Sequence, residues 1–149
     1  LFVVSTTDQV YVIDEPTEQI EKVYNLKGAK GAISIAYAPE EKLLFVVSQS
    51  TDNLQILDAT DGKLKADVKV GAGPLAVVWE PVRKLAYVAN RGSDSVAVVD
   101  VNGNLVANLP GGSYANHVFT DGKGTVWSVN KARGLNDPQG DHISRYAAK

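Results

Sequence analysis

The chain has no cysteine, no methionine and only two histidines among its 149 residues. Without cysteine it can form no disulfide, no thiol nucleophile and no thiolate metal site. The redox compartment stays open, because a cysteine-free chain suits the periplasm and the cytosol equally. A chain that begins Leu-Phe-Val-Val carries no initiator, so a processed, trimmed or partial polypeptide is expected, and no signal peptide is present to give an address. Apolar runs all fall short of the roughly 20 residues that carry a helix across a bilayer, so no membrane insertion is expected. Sustained helical periodicity is missing too. Gly28 to Gly31 and Gly111-Gly112 are glycine-rich but precede strand-like segments, which removes the usual dinucleotide and phosphate loops. The sequence offers no Ser/His/Asp arrangement, nucleophile elbow or haem-attachment motif, so the expectation is no catalytic residue, no metal and no cofactor. Charge of either sign is not in excess: 15 basic and 17 acidic side chains leave a net −2. That gives no global pull toward nucleic acid or anionic lipid, although a local basic patch would not register in the sum.

What the chain does have is 44% hydrophobic residues and a repeat. Its length suits one domain. The string LFVVS occurs at Leu1 to Ser5 and again at Leu44 to Ser48, with looser copies AYVAN at Ala86 to Asn90 and VWSVN at Val126 to Asn130. The aromatic markers Phe2, Phe45, Tyr87 and Trp127 are spaced by 43, 42 and 40 residues. A second apolar stretch follows each marker, at Val10 to Asp14, Leu54 to Asp58, Val96 to Asp100 and Ile143 to Ala147, and an aspartate precedes each by two positions: Asp8, Asp52, Asp94 and Asp141. Upstream lie AISIAYAPEEK, PLAVVWEPVRK and ANHVFTDGKG, aligned on Pro39, Pro81 and Asp121; between repeats run IEKVYNL, LKADVKV and LVANLP.

These segments are short, rich in Val, Ile, Leu, Tyr and Phe, and bounded by turn residues, which predicts strands. Asp61-Gly62 and Asn102-Gly103 supply the positive φ of tight hairpins. Four strands in a period of about 42 residues is the arithmetic of a β-propeller blade. The expected fold is all-β: antiparallel blades, 14 strands distributed three, four, four and three, or about three and a half blades, over 1–31, 32–73, 74–113 and 114–149. The markers, together with Trp79 and its aligned equivalents Tyr37 and Phe119, are expected to pack between blades.

The run from Gly71 to Val106, GAGPLAVVWEPVRKLAYVANRGSDSVAVVDVNGNLV, resembles the YVTN repeat of bacterial and archaeal β-propellers through Gly71, Pro74, Pro81, Tyr87-Val88-Ala89-Asn90, Ser93-Asp94-Ser95 and Asp100. Ala89 stands in place of the usual threonine. The ending VWSVNKARGLNDPQGDHISRYAAK is similar to the last blade of YncE-type periplasmic members. The resemblance implies a seven-bladed ring, a periplasmic address and a binding or interaction role. It also implies that the remaining blades come from a missing segment, a second chain or self-assembly.

In a propeller the loops joining second to third strands share a face with those leading into the next blade, and that face is the expected site of an unknown ligand or partner. It would carry the loop from Lys131 to Asp141, seven residues longer than its counterpart after Asn90. Inserted loops of this kind carry function disproportionately. Arg91, Lys131 and Arg133 would suit an anion or phosphate, with Asn130 at the loop's root; Tyr114, in place of the proline or small residue at the entry to an innermost strand, would either stack on a ligand or pack the entry loop. His117, aligned with Val77, would approach the central channel. Two further readings use the same residues: single-stranded nucleic acid on Arg91, Lys131, Arg133 and Tyr114, and a lactonase-like hydrolase built on His117. The recurring aspartates are expected to be local Asx turns rather than metal ligands.

Overall fold

A computed structural model describes residues 1–147. Among them are 14 strands and no helix. They form four antiparallel sheets: β1 (Phe2–Ser5), β2 (Gln9–Asp14) and β3 (Gln19–Asn25); β4 (Ala32–Ala38), β5 (Leu43–Ser48), β6 (Asn53–Asp58) and β7 (Leu64–Lys69); β8 (Pro74–Glu80), β9 (Leu85–Asn90), β10 (Ser95–Asp100) and β11 (Leu105–Pro110); β12 (Ala115–Thr120), β13 (Thr125–Asn130) and β14 (Ile143–Ala147). Within each sheet every strand pairs with its neighbour in sequence, as hairpin turns require. The first strands β4, β8 and β12 lie side by side, so the sheets stack face to face as successive blades.

Core residues sit between blades because alternate strand residues point to opposite faces. Phe45, Val47, Leu54 and Ile56 of the second blade close on Val77, Trp79, Val88 and Val99 of the third. Val10 and Tyr24 of the first blade close on Leu44 and Val46 of the second, and Tyr87, Val96 and Val98 of the third on Val126 of the fourth. Phe45 stacks on Trp79 across the interface with ring centroids 5.1 Å apart, and Phe2 packs on Tyr37 at 5.0 Å. Such pairs add about 0.5–1.5 kcal/mol to what burial contributes.

Two packing expectations are corrected. Phe45, Tyr87 and Trp79 are buried between blades, and Phe2 and Tyr37 meet between the first and second blades as expected although Tyr37 stays 43% exposed, whereas Phe119, 45% exposed, and the half-buried Trp127 pack on each other within one sheet. The fourth blade is also offset by one residue from the alignment on Asp121. Ala36 pairs with Phe45 and Val78 with Tyr87, and in the fourth blade it is Phe119 that pairs with Trp127. The hairpin there turns through only Gly122 to Gly124, since the Asp121 amide already bonds the Thr125 carbonyl. Phe119 is therefore the counterpart of Val78 rather than Trp79, and it stacks on Trp127 within its own sheet, centroids 5.2 Å apart, on the outward face of the blade.

Candidate functional site

The loops β1–β2, β5–β6 and β9–β10 meet the segments leading into the next blade at one end of the stack, and the β13–β14 loop meets the segment leading into its own blade. Each of the four repeating aspartates has a positive φ, between 52° and 59°, which aspartate tolerates better than most residues. The Asp8, Asp52 and Asp94 carbonyls accept from Leu26, Val70 and Gly111 at the ends of their own sheets. Their carboxylates reach further: Asp8 Oδ1 accepts from the Ala32 amide at 3.0 Å, Asp52 Oδ1 from Gly73 at 2.8 Å and Asp94 Oδ1 from Tyr114 at 2.9 Å. The expected local Asx turns are thus corrected to clasps that tie each blade to the start of the next. Asp141 differs, for its Oδ1 accepts from Ala132 at 3.2 Å and closes the neck of the long loop. Among the described residues no three His, Asp or Glu side chains gather as a metal would require.

The residue just before the innermost strand is a left-handed glycine in the second and third blades: Gly31 at φ 71° and Gly73 at φ 59°. In the fourth blade the equivalent position is Tyr114, at φ 51°. A bulky side chain in this region costs about 1–2 kcal/mol relative to glycine. Tyr114 thus replaces the left-handed glycine, not the proline or small residue that follows it. Two cations converge on its ring, with the Arg91 and Arg133 guanidinium carbons 4.6 and 4.8 Å from the centroid. Cation–π contacts of this kind contribute about 0.5–1 kcal/mol each at exposed sites.

Arg133 also pairs with Asp94 Oδ2. Burial opposes charge on Asp94, but the Arg133 guanidinium and the Tyr114 amide together hold its carboxyl below the usual range, and the same ion pair raises Arg133. Arg91 makes no ion pair among the described residues; its amide donates to the Gly73 carbonyl at 3.0 Å, which fixes the root of the side chain. Lys131 donates its amide to the Ser113 and Tyr114 carbonyls at 3.1 and 3.2 Å, and its side chain is exposed.

The inserted loop is organised rather than slack. Asn130, 2% exposed, gives its amide to the Gln139 carbonyl and accepts from the His142 amide at 2.9 Å. Asp137 accepts from the Arg133 and Gln139 amides at 2.9 and 3.0 Å, which depresses its pKa. Gly140 lies against Ala132, where an added Cβ would come within 2.2 Å of the Ala132 Cα. Asn130 is therefore a pin for the loop, buried away from any ligand.

Of the six residues singled out from the sequence, Arg91, Tyr114 and Arg133 come together, and Lys131 borders them. His117 does not join them. By register it is the counterpart of Ser34 and Ala76, not of Val77, and it is exposed in a groove with Ile33, Ser34, Leu75, Ala76 and Asn116. Sequence reasoning missed the partnership of Asp94 with Arg133. It also missed Leu135, fully exposed at the tip of the inserted loop.

No family model matches the chain, and no curated protein matches it. Among solved structures, a chain of Kuenenia stuttgartiensis hydrazine synthase matches with a TM-score of 0.81 at 19% identity, over 90% of this chain and 39% of that one. At that identity the likeness shows the fold alone. The protein is all-β, built of partial propeller blades.

Proposed function

We propose that this protein is a binding and interaction propeller that engages its ligand through the loop-bearing end of the third and fourth blades. The convergence of Arg91 and Arg133 on Tyr114 carries this reading. A tyrosine replaces glycine at a left-handed position, at a cost the fold does not require, and strained side chains of this kind concentrate at functional sites. Two guanidinium groups stand over its ring: Arg133 is paired with Asp94, while Arg91 has no ion pair among the described residues, and Asp137 and Asp141 turn a carboxylate oxygen toward backbone amides. An anionic group is the natural occupant.

The finer identification as a YncE-type YVTN propeller, with its periplasmic address, rests on the residues from Gly71 to Val106 and on the C-terminal blade. A lactonase-like reaction draws no support from the groove at His117, whose other lining residues carry neither a carboxylate nor a guanidinium. Single-stranded nucleic acid would use the same cations. A base would, however, have to displace a guanidinium from Tyr114 or stack on one.

The test is fluorescence anisotropy with labelled poly-L-glutamate and labelled oligothymidylate, comparing wild type, Arg91→Ala and Lys84→Ala. Lys84 lies beyond the opposite ends of the strands, where it pairs with Glu41 at 2.8 Å. The reading expects Arg91→Ala to weaken at least one probe by about tenfold, the worth of one charge-assisted hydrogen bond, with Lys84→Ala unchanged. Equal binding by all three proteins would reject it.

A further inference from the structure

The site's surroundings speak to the kind of partner. Leu135 is 105% exposed, the most exposed large apolar side chain described, and it stands two residues from Arg133. An exposed leucine on a mobile tail would mean little, but this loop is held at several points. The Arg133 amide donates to Asp137 Oδ2 at 2.9 Å, the Asp137 amide to the Gly134 carbonyl at 3.2 Å, and the Gly140 amide to the Asp137 carbonyl at 3.2 Å. At the neck, His142 Nε2 lies 3.2 Å from the Pro138 carbonyl, and Asn130 bonds Gln139. The leucine is presented on an ordered turn, beside a shallow depression formed by Ala132, Arg133, Gly134, Asp137 and Asp141.

The combination is that of a protein contact. Arginine and tyrosine are, with tryptophan, the residues enriched among interface hot spots, and an exposed leucine on the same loop as Arg133 adds apolar area for a partner to bury. A small anion would need the guanidinium groups but not the leucine, and a nucleic-acid strand would more readily use an aromatic ring open for stacking. Resting on the binding reading above, we infer that the partner of this end is an acidic peptide segment. One carboxylate is held by the Arg91 guanidinium beside Tyr114, and a neighbouring apolar side chain packs on Leu135. The carboxylate that Arg133 already holds, Asp94, shows the local chemistry that Arg91 leaves unanswered.

The experiment uses three labelled probes of matched length: a peptide alternating glutamate and leucine, poly-L-glutamate, and oligothymidylate. Affinities are measured for wild type, Leu135→Ser and Arg91→Ala, with circular dichroism to show that each variant is folded. The expected result is that Leu135→Ser weakens the glutamate–leucine peptide by about tenfold, the scale of burying part of one leucine, and leaves poly-L-glutamate unchanged. Arg91→Ala weakens both peptides. If Leu135→Ser leaves the glutamate–leucine peptide unaffected, or if oligothymidylate binds more tightly than that peptide, the acidic-peptide inference is overturned, and Arg91 dependence alone would still uphold the binding end. If Arg91→Ala changes no probe, both readings fall.

Discussion

Replacing Asp52 separates three contributions that the clasp combines: an acceptor, a charge and a tolerated left-handed backbone. Asp52 sits at φ 52° with its Oδ1 2.8 Å from the Gly73 amide, and its carbonyl holds Val70 at 3.1 Å. Asp52→Ala removes the acceptor and leaves the half-buried Gly73 amide without its partner, at a cost of about 1–3 kcal/mol. It also places alanine where L-residues are strained, adding up to about 1 kcal/mol. Asp52→Asn keeps an acceptor oxygen and a residue at home in this region, so it costs under about 1 kcal/mol. Asp52→Gly loses the acceptor but relieves the backbone. The expected order of stability is wild type, Asn, Gly, Ala, with Ala about 2–3 kcal/mol below wild type. Urea unfolding followed by tryptophan fluorescence would show this as a midpoint lowered by roughly 1 M, for a slope near 2 kcal/mol/M. Hydrogen exchange at Gly73 should accelerate in the same order. An alanine variant as stable as the asparagine one, or a glycine variant below alanine, would refute the clasp.

Four other expectations follow from the same geometry. At position 114, glycine should be more stable than alanine by about 1 kcal/mol in thermal unfolding, the reverse of the usual helix or strand order, since only glycine relaxes φ 51°. Trp79→Ala should cost about 3–5 kcal/mol in urea unfolding, because it empties the stack on Phe45 in the core between the second and third blades; a loss under 1 kcal/mol would contradict that packing. Gly140→Ala should displace the inserted loop, seen as changed amide shifts from residues 131 to 141, with little change in midpoint. Acid should destabilise the fold: the Thr60 hydroxyl and amide, with Lys65, lower Asp58 from 3.8 to about 2, and Asp94, Asp100, Asp121 and Asp137 are lowered too. Carboxylates with depressed folded-state pKa values contribute stability above their unfolded values near 3.9. That contribution disappears as the pH falls through the folded values, so a pH titration of the urea midpoint should fall below pH 4 and fall less in Asp58→Asn.

The strands were readable from the chain because each is a short apolar run closed by turn residues, and the repeat supplied their number and grouping. Register in the fourth blade was not, since aligning Asp121 with Pro39 and Pro81 conceals a hairpin one residue shorter. The aspartates were visible as a recurring element. Their targets were not, because the accepting bond spans 20 to 24 residues and depends on how blades stack. Phe119 misled for a related reason: burial is set by which face meets a neighbour, and composition does not report that. Arg91, Tyr114 and Arg133 could be nominated one by one, but only the stacking of the third blade on the fourth brings them together.

The central claim is that Arg91 and Arg133 meet at Tyr114, and nuclear magnetic resonance tests it without any ligand. The account predicts nuclear Overhauser contacts from the δ-methylenes of both arginines to the Tyr114 ring, with those methylenes shifted upfield by the ring current. Arginine methylenes at their unstructured shifts, with no contact to Tyr114, would contradict it.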